Sequence, residues 1–126
     1  MSENIYGASQ WEAIATLRYP DIQLFIDDYK KDYGYEPTYQ AAEAYGAMQV
    51  LEAAVKKVGS LDRERLRDVM ADLKVDTVFG PYQVDGKGVQ TAKTALLVQW
   101  QQGQRKVVWP EDVAPSQPVY PMPAWK

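Results

Sequence analysis

Apolar residues fall at helical spacing through the first half of this chain and at strand spacing further on. Ile22, Phe25, Ile26, Tyr29 and Tyr33 recur every three or four positions, with Asp27, Asp28, Lys30 and Lys31 between them, which predicts an amphipathic helix. Pro20 suits the position just ahead of that helix, Asp21 is its expected N-cap, Gly34 its left-handed stop, and Pro37 bars continuation. Thr38 is placed to cap a second helix whose apolar stripe reads Ala41, Ala44, Tyr45, Met48, Leu51, Val55 and Val58, ending at Gly59. Ala41, Ala42, Ala44, Gly46 and Ala47 make this helix thin, so another part of the fold is expected against it. Gly46 costs it about 1 kcal/mol relative to Ala. Asp62 caps a third helix, with Leu61 and Leu66 spaced as a hydrophobic staple and Leu66, Val69, Met70 and Leu73 on its buried side.

Beyond Lys74 the residues turn β-branched and aromatic. Thr77-Val78-Phe79 and Tyr82-Gln83-Val84 read as two short strands broken by Gly80-Pro81, because Pro cannot donate to a ladder. Asp85-Gly86-Lys87-Gly88 is a turn. Residues 95–100 and 105–109 then form a hairpin about Gln102-Gly103, with Leu96, Val98 and Trp100 alternating against Leu97, Gln99 and Gln101. At the start, residues 5–11 read as an extended segment. The tail holds Pro110, Pro115, Pro118, Pro121 and Pro123 among large apolar groups, so it is expected to run extended over a surface, anchored by Tyr120 and Trp125.

Composition narrows the chemistry. The 126 residues, 46% hydrophobic and 25% charged, suit one domain with a real core. The 14 basic and 17 acidic residues give a net charge of -3, with no cluster of positives to track a phosphate backbone, so no nucleic-acid partner is expected. There is no His and no Cys, which removes disulfides, thiolate nucleophiles, structural zinc and His-based triads. Carboxylate-only chemistry survives that filter, but Asp27-Asp28 and Asp85 read as solvated surface, and Glu43 and Glu52 fall on opposed faces of a helix. No enzyme activity, catalytic residue, metal or cofactor is therefore expected. No apolar run approaches the roughly 20 residues that cross a bilayer, and the first residues show no basic-then-apolar export pattern.

Aromatic residues crowd the first third. Tyr29, Tyr33 and Tyr45 lie on helical stripes and read as core. Ser9, Gln10 and Trp11 lie in an extended segment with polar neighbours, and Tyr39 sits at a helix N-terminus, where free N–H groups favour anionic ligand groups. These four are the candidate ligand contacts.

Several segments occur in an order that resembles the C-terminal part of the type I periplasmic binding proteins. They are Gly7-Ala8-Ser9-Gln10-Trp11, the run from Phe25 to Pro37, Tyr39-Gln40-Ala41-Ala42-Glu43-Ala44-Tyr45-Gly46-Ala47, Thr77-Val78-Phe79-Gly80-Pro81-Tyr82-Gln83-Val84-Asp85, Leu97-Val98-Gln99-Trp100 and Val119-Tyr120-Pro121-Met122-Pro123-Ala124-Trp125. The nearest branch is the leucine/isoleucine/valine-binding group, which serves ABC importers of branched-chain amino acids and related amides or aromatic acids. The resemblance implies an α/β fold of two lobes joined by three crossovers, much longer than this chain. Residues 1–20 would then be a crossover segment, 21–73 a helical part, 74–109 a strand part and 110–126 an extended Pro-rich tail. Residues 25–70 and 78–109 would belong to different lobes. It further implies a periplasmic location, a small-molecule ligand held by lobe closure, an ABC permease as partner, and exposed apolar faces that favour a homo-oligomer. A sensor built on the same fold and a free-standing dimeric interaction module are the alternatives.

Overall fold

A computed structural model of the chain describes residues 3–14 and 17–122. It divides into two compact units: Met1–Glu12 with Ala95–Lys126, and Ala13–Thr94.

The continuous unit holds helices α1 (Ile22–Tyr33), α2 (Tyr39–Val58) and α3 (Arg63–Asp72), then strands β2 (Val75–Thr77) and β3 (Gly80–Tyr82), which pair antiparallel. The helix ends follow the local chemistry. Gly34 and Gly59 take left-handed φ of 79° and 70°, and each donates its N–H back into the preceding turn. Thr38 accepts the Ala41 N–H and Asp62 that of Arg65, at 3.5 and 2.9 Å. Asp21 departs from expectation: it takes a left-handed φ of 55°, and its side chain makes no cap bond. A side-chain cap needs the extended backbone that Thr38 and Asp62 have. The Leu61–Leu66 staple is likewise not made, since Leu61 is 77% exposed.

The buried face of α2 is not the expected stripe. Ala42, Gly46, Val50 and Ala54, four apart, point inward, while Ala44, Tyr45, Met48 and Leu51 are exposed. Val50 and Ala54 form a core with Leu66 and Leu73, against which Val75 and Tyr82 pack. Gly46 explains the rotation. A Cβ placed on it would stand 2.8 Å from the Phe79 Cβ and 3.1 Å from the Thr77 hydroxyl, so only glycine lets the β2–β3 turn reach the helix. The Gln49 side chain accepts the Val78 N–H at 2.9 Å and the Tyr82 hydroxyl donates to the Met70 carbonyl at 3.1 Å, tying the hairpin to the helices. The hairpin is therefore part of the helical unit, while residues 95–109 belong to the other unit.

The second unit is a three-stranded antiparallel sheet in the order β1-β4-β5, built from Tyr6–Ser9, Leu96–Gln101 and Gln104–Trp109. Gln102 and Gly103, with φ of 56° and 73°, make the tight β4–β5 turn. A bulge between Leu97 and Val98 breaks the simple alternation, since Leu97 pairs Trp109 while Val98 pairs Val107. The extra residue is Val108 on β5, which lets Val107 and Val108 both be buried, while on β4 Gln99 is fully buried and Trp100 is exposed. Gln99 is satisfied on every side: it donates to the carbonyls of Asn4 and Val119 and accepts the Val119 N–H and the Gln101 amide. The Tyr6 hydroxyl also donates to Val119 O, and Gln101 to Gln117 O. The tail is thus held by its backbone at Gln117 and Val119, not by the expected Tyr120 anchor, which is 86% exposed. Trp125 lies outside the described residues.

Candidate functional site

Three of the four candidate contacts lie together where the chain leaves the sheet. Ser9 is the last residue of β1, and its hydroxyl donates to the Trp11 carbonyl at 3.0 Å. Gln10 is exposed, whereas the Trp11 ring is buried, at 2% exposure. Next to them Glu12 shares a 2.9 Å ion pair with Arg105, its second carboxylate oxygen buried without a hydrogen-bond partner among the described residues. Glu12 was not among the residues singled out from the sequence, because a lone Glu ahead of a loop has no distinguishing pattern. Tyr39 belongs to the other unit, where it is exposed as the first residue of α2. No acidic residue stands in that first turn, so the positive end of the helix is uncompensated there.

The continuous unit has two further features of chemical interest. Lys93 lies with its ammonium 2.9 Å from the centre of the Phe79 ring. Burial lowers its pKa to about 8, against the pull of the Glu43 carboxylate, and its nitrogen has no hydrogen-bond partner among the described residues. The other feature is an open groove between α1 and α2, with a volume of about 560 Å3. Phe25, Tyr29 and Tyr33 on one helix and Tyr45 and Met48 on the other line it. Tyr33, Tyr45 and Met48 are more than half exposed, so the expectation that Tyr33 and Tyr45 are core residues fails. They flank the groove because α2 turns its Gly46 side, not its Tyr45 side, to the core. The Tyr29 phenol is held above its ordinary pKa by its hydrogen bond to Tyr35, and by the nearby Tyr33 and Tyr35.

At the Asp85 turn, the carboxylate accepts the N–H groups of Lys87 and Val89, at 2.8 and 3.0 Å, which lowers its pKa. This is a self-satisfied loop. Among the described residues, no three carboxylates come together in a way that would hold a metal ion.

A family model described as a periplasmic binding protein matches residues 2–105. The chain belongs to the periplasmic binding protein family. That family is one of solute-binding proteins, not of enzymes. A Leu/Ile/Val-binding protein homologue of Brucella abortus is 27% identical over 111 residues, covering 83% of this chain and 28% of the relative. A putative branched-chain amino acid ABC transporter protein of Rhodospirillum rubrum is 28% identical, with a TM-score of 0.66 over 84% of this chain and 31% of that one. Two further structures share the fold. A leucine-binding protein of Thermotoga maritima has a TM-score of 0.69 at 24% identity, over 83% of this chain and 30% of its own. An R. palustris solute-binding protein in complex with benzoate has a TM-score of 0.68 at 21% identity, over 84% and 29%. The chain thus spans under a third of the length of the binding proteins it matches, and carries that part of the type I periplasmic-binding-protein fold. No helix among the described residues is long and apolar enough to cross a membrane.

Proposed function

We propose that this chain is the C-terminal portion of the solute-binding subunit of an ABC importer, acting in the periplasm on branched-chain amino acids or related amides and aromatic acids. The observation that carries the reading is the path of the chain: it starts in one compact unit, builds the whole of a second and returns to the first. In a two-lobed binding protein such passes are crossovers, and ligand contacts favour the closed arrangement of the lobes by differential affinity. In this reading Ser9, Gln10 and Trp11, at the start of the first pass, and Tyr39, at a helix N-terminus, contribute to the ligand site. The rest of the site lies in the part of the family's length that this chain does not span, and an ABC permease receives the ligand.

Calorimetry tests this on two proteins, the 126-residue chain and the full natural protein that contains it. The chain alone is expected to bind neither leucine nor benzoate, and the full protein to bind one ligand of these classes with micromolar affinity. A full protein that takes none of them, or a chain that binds alone, defeats the reading.

The three-stranded sheet supports a second reading, a self-associating module. Among the described residues neither β1 nor β5 has a second strand neighbour, so both edges present unpaired backbone groups. Light scattering during size-exclusion chromatography tests the second reading, since a concentration-independent monomer removes it.

A further inference from the structure

We propose that Lys93 is a proton-controlled latch on the stretch by which the chain leaves the helical unit: uncharged, its side chain seals against the β2–β3 hairpin, and protonated it withdraws into water. Lys93 stands two residues before Ala95, where the chain passes to the sheet unit. A Cβ on Gly80 would stand 3.1 Å from the Tyr19 ring and 3.4 Å from the Lys93 Cδ, so both side chains lie against the bare backbone at the start of β3. Beyond that contact the Lys93 nitrogen reaches the Phe79 ring, 2.9 Å from its centre.

This seat suits the methylenes and not the charge. The nitrogen is buried, and none of its N–H groups has an acceptor among the described residues. The Phe79 face attracts a cation, and Glu43 on α2 pulls on it as well, but neither replaces the water that a buried ammonium loses. Tyr19, ahead of α1, brings its hydroxyl against the same glycine and adds no charge while it is a phenol. Desolvation therefore prevails, and the pKa falls from 10.5 to about 8. The seated side chain binds its proton less tightly than a hydrated one, so seating is favoured most above 10.5 and progressively less as pH falls toward 8. The whole change is roughly two to three powers of ten in the equilibrium between seated and withdrawn forms. Withdrawal needs little rearrangement. Thr91, Ala92 and Thr94 are already exposed, and a four-carbon stem can turn the ammonium outward without unfolding an element. All these groups belong to the helical unit, and the inference does not rest on the function proposed above.

The test is NMR of the full 126-residue chain carrying carbon-13 lysine, followed from about pH 9.5 down to about 6.5 on carbon-bound protons, which do not exchange with water. At the alkaline end the Lys93 side-chain protons are expected upfield of those of the other lysines, shifted by the Phe79 ring. They are expected to lose that displacement as pH falls, with a midpoint well below the ordinary 10.5. Phe79→Leu is expected to abolish the displacement at every pH, which assigns it to the ring. Lys93 protons that are never upfield, that stay upfield throughout, that titrate with the other lysines, or that keep their displacement in the variant overturn the proposal. If the variant does not fold, the titration of the unaltered chain decides by itself.

Discussion

Gly46 shows how one residue sets the arrangement around it. Read alone it is a weak point in a helix, and alanine there gains about 1 kcal/mol of intrinsic helix propensity. In the structure the missing side chain is the contact, because Phe79 occupies the space a Cβ needs. Gly46→Ala is therefore expected to destabilise the chain by about 1–2 kcal/mol, the overpacking outweighing the propensity gain. Urea denaturation of both proteins measures it, and an alanine variant as stable as the original would mean that the turn yields freely. Gln99 teaches the same lesson in reverse. Its polarity reads as solvent-facing, yet it is fully buried, since its amide serves Asn4 and Val119. Neither fact is visible in the sequence, because each depends on a partner far along the chain. Ser9, Gln10 and Trp11 were legible only as an unusual polar and aromatic cluster, and burial of the Trp11 ring has no local signature at all.

At the scale of elements, ends were more legible than faces. Gly34, Thr38, Gly59 and Asp62 act through their own backbone and the next turn, so local sequence suffices to place them. Faces depend on what packs against them, and the stripe of α2 came out rotated because alanine and glycine, not the larger residues, met the core. Cap and staple at the start of α3 separate cleanly in a test. Asp62→Ala is expected to cost about 1 kcal/mol, since it strands the Arg65 N–H. Leu61→Ser, at an exposed position that makes no staple, should stay within about 0.5 kcal/mol. Thermal melts of the two variants check both values, and a larger loss at Leu61 would show that the staple forms in solution.

For the whole molecule, the resemblance in the sequence located the family, while the contacts of the β2–β3 hairpin decided which unit holds it. One unit is continuous in sequence and the other is not. Residues 13–94, made alone, are expected to keep their helical circular dichroism and melt cooperatively, because Val50, Ala54, Leu66 and Leu73 all lie within them. Residues 95–126 alone are expected to stay unfolded, since β4 would lack its β1 neighbour. A non-cooperative melt of the 13–94 piece would show that it needs the sheet unit.

The pairing of β1 with β4, in which Tyr6 sits opposite Gln99, bears on the order of events during synthesis. β1 leaves the ribosome well ahead of β4 and cannot pair with it until the helical unit between them has followed. Everything needed for the helical unit emerges in that interval, so it is free to fold first. The waiting strand is short and carries Gly7, Ala8 and Ser9, small residues that give a stray neighbour little apolar surface to grip during the delay.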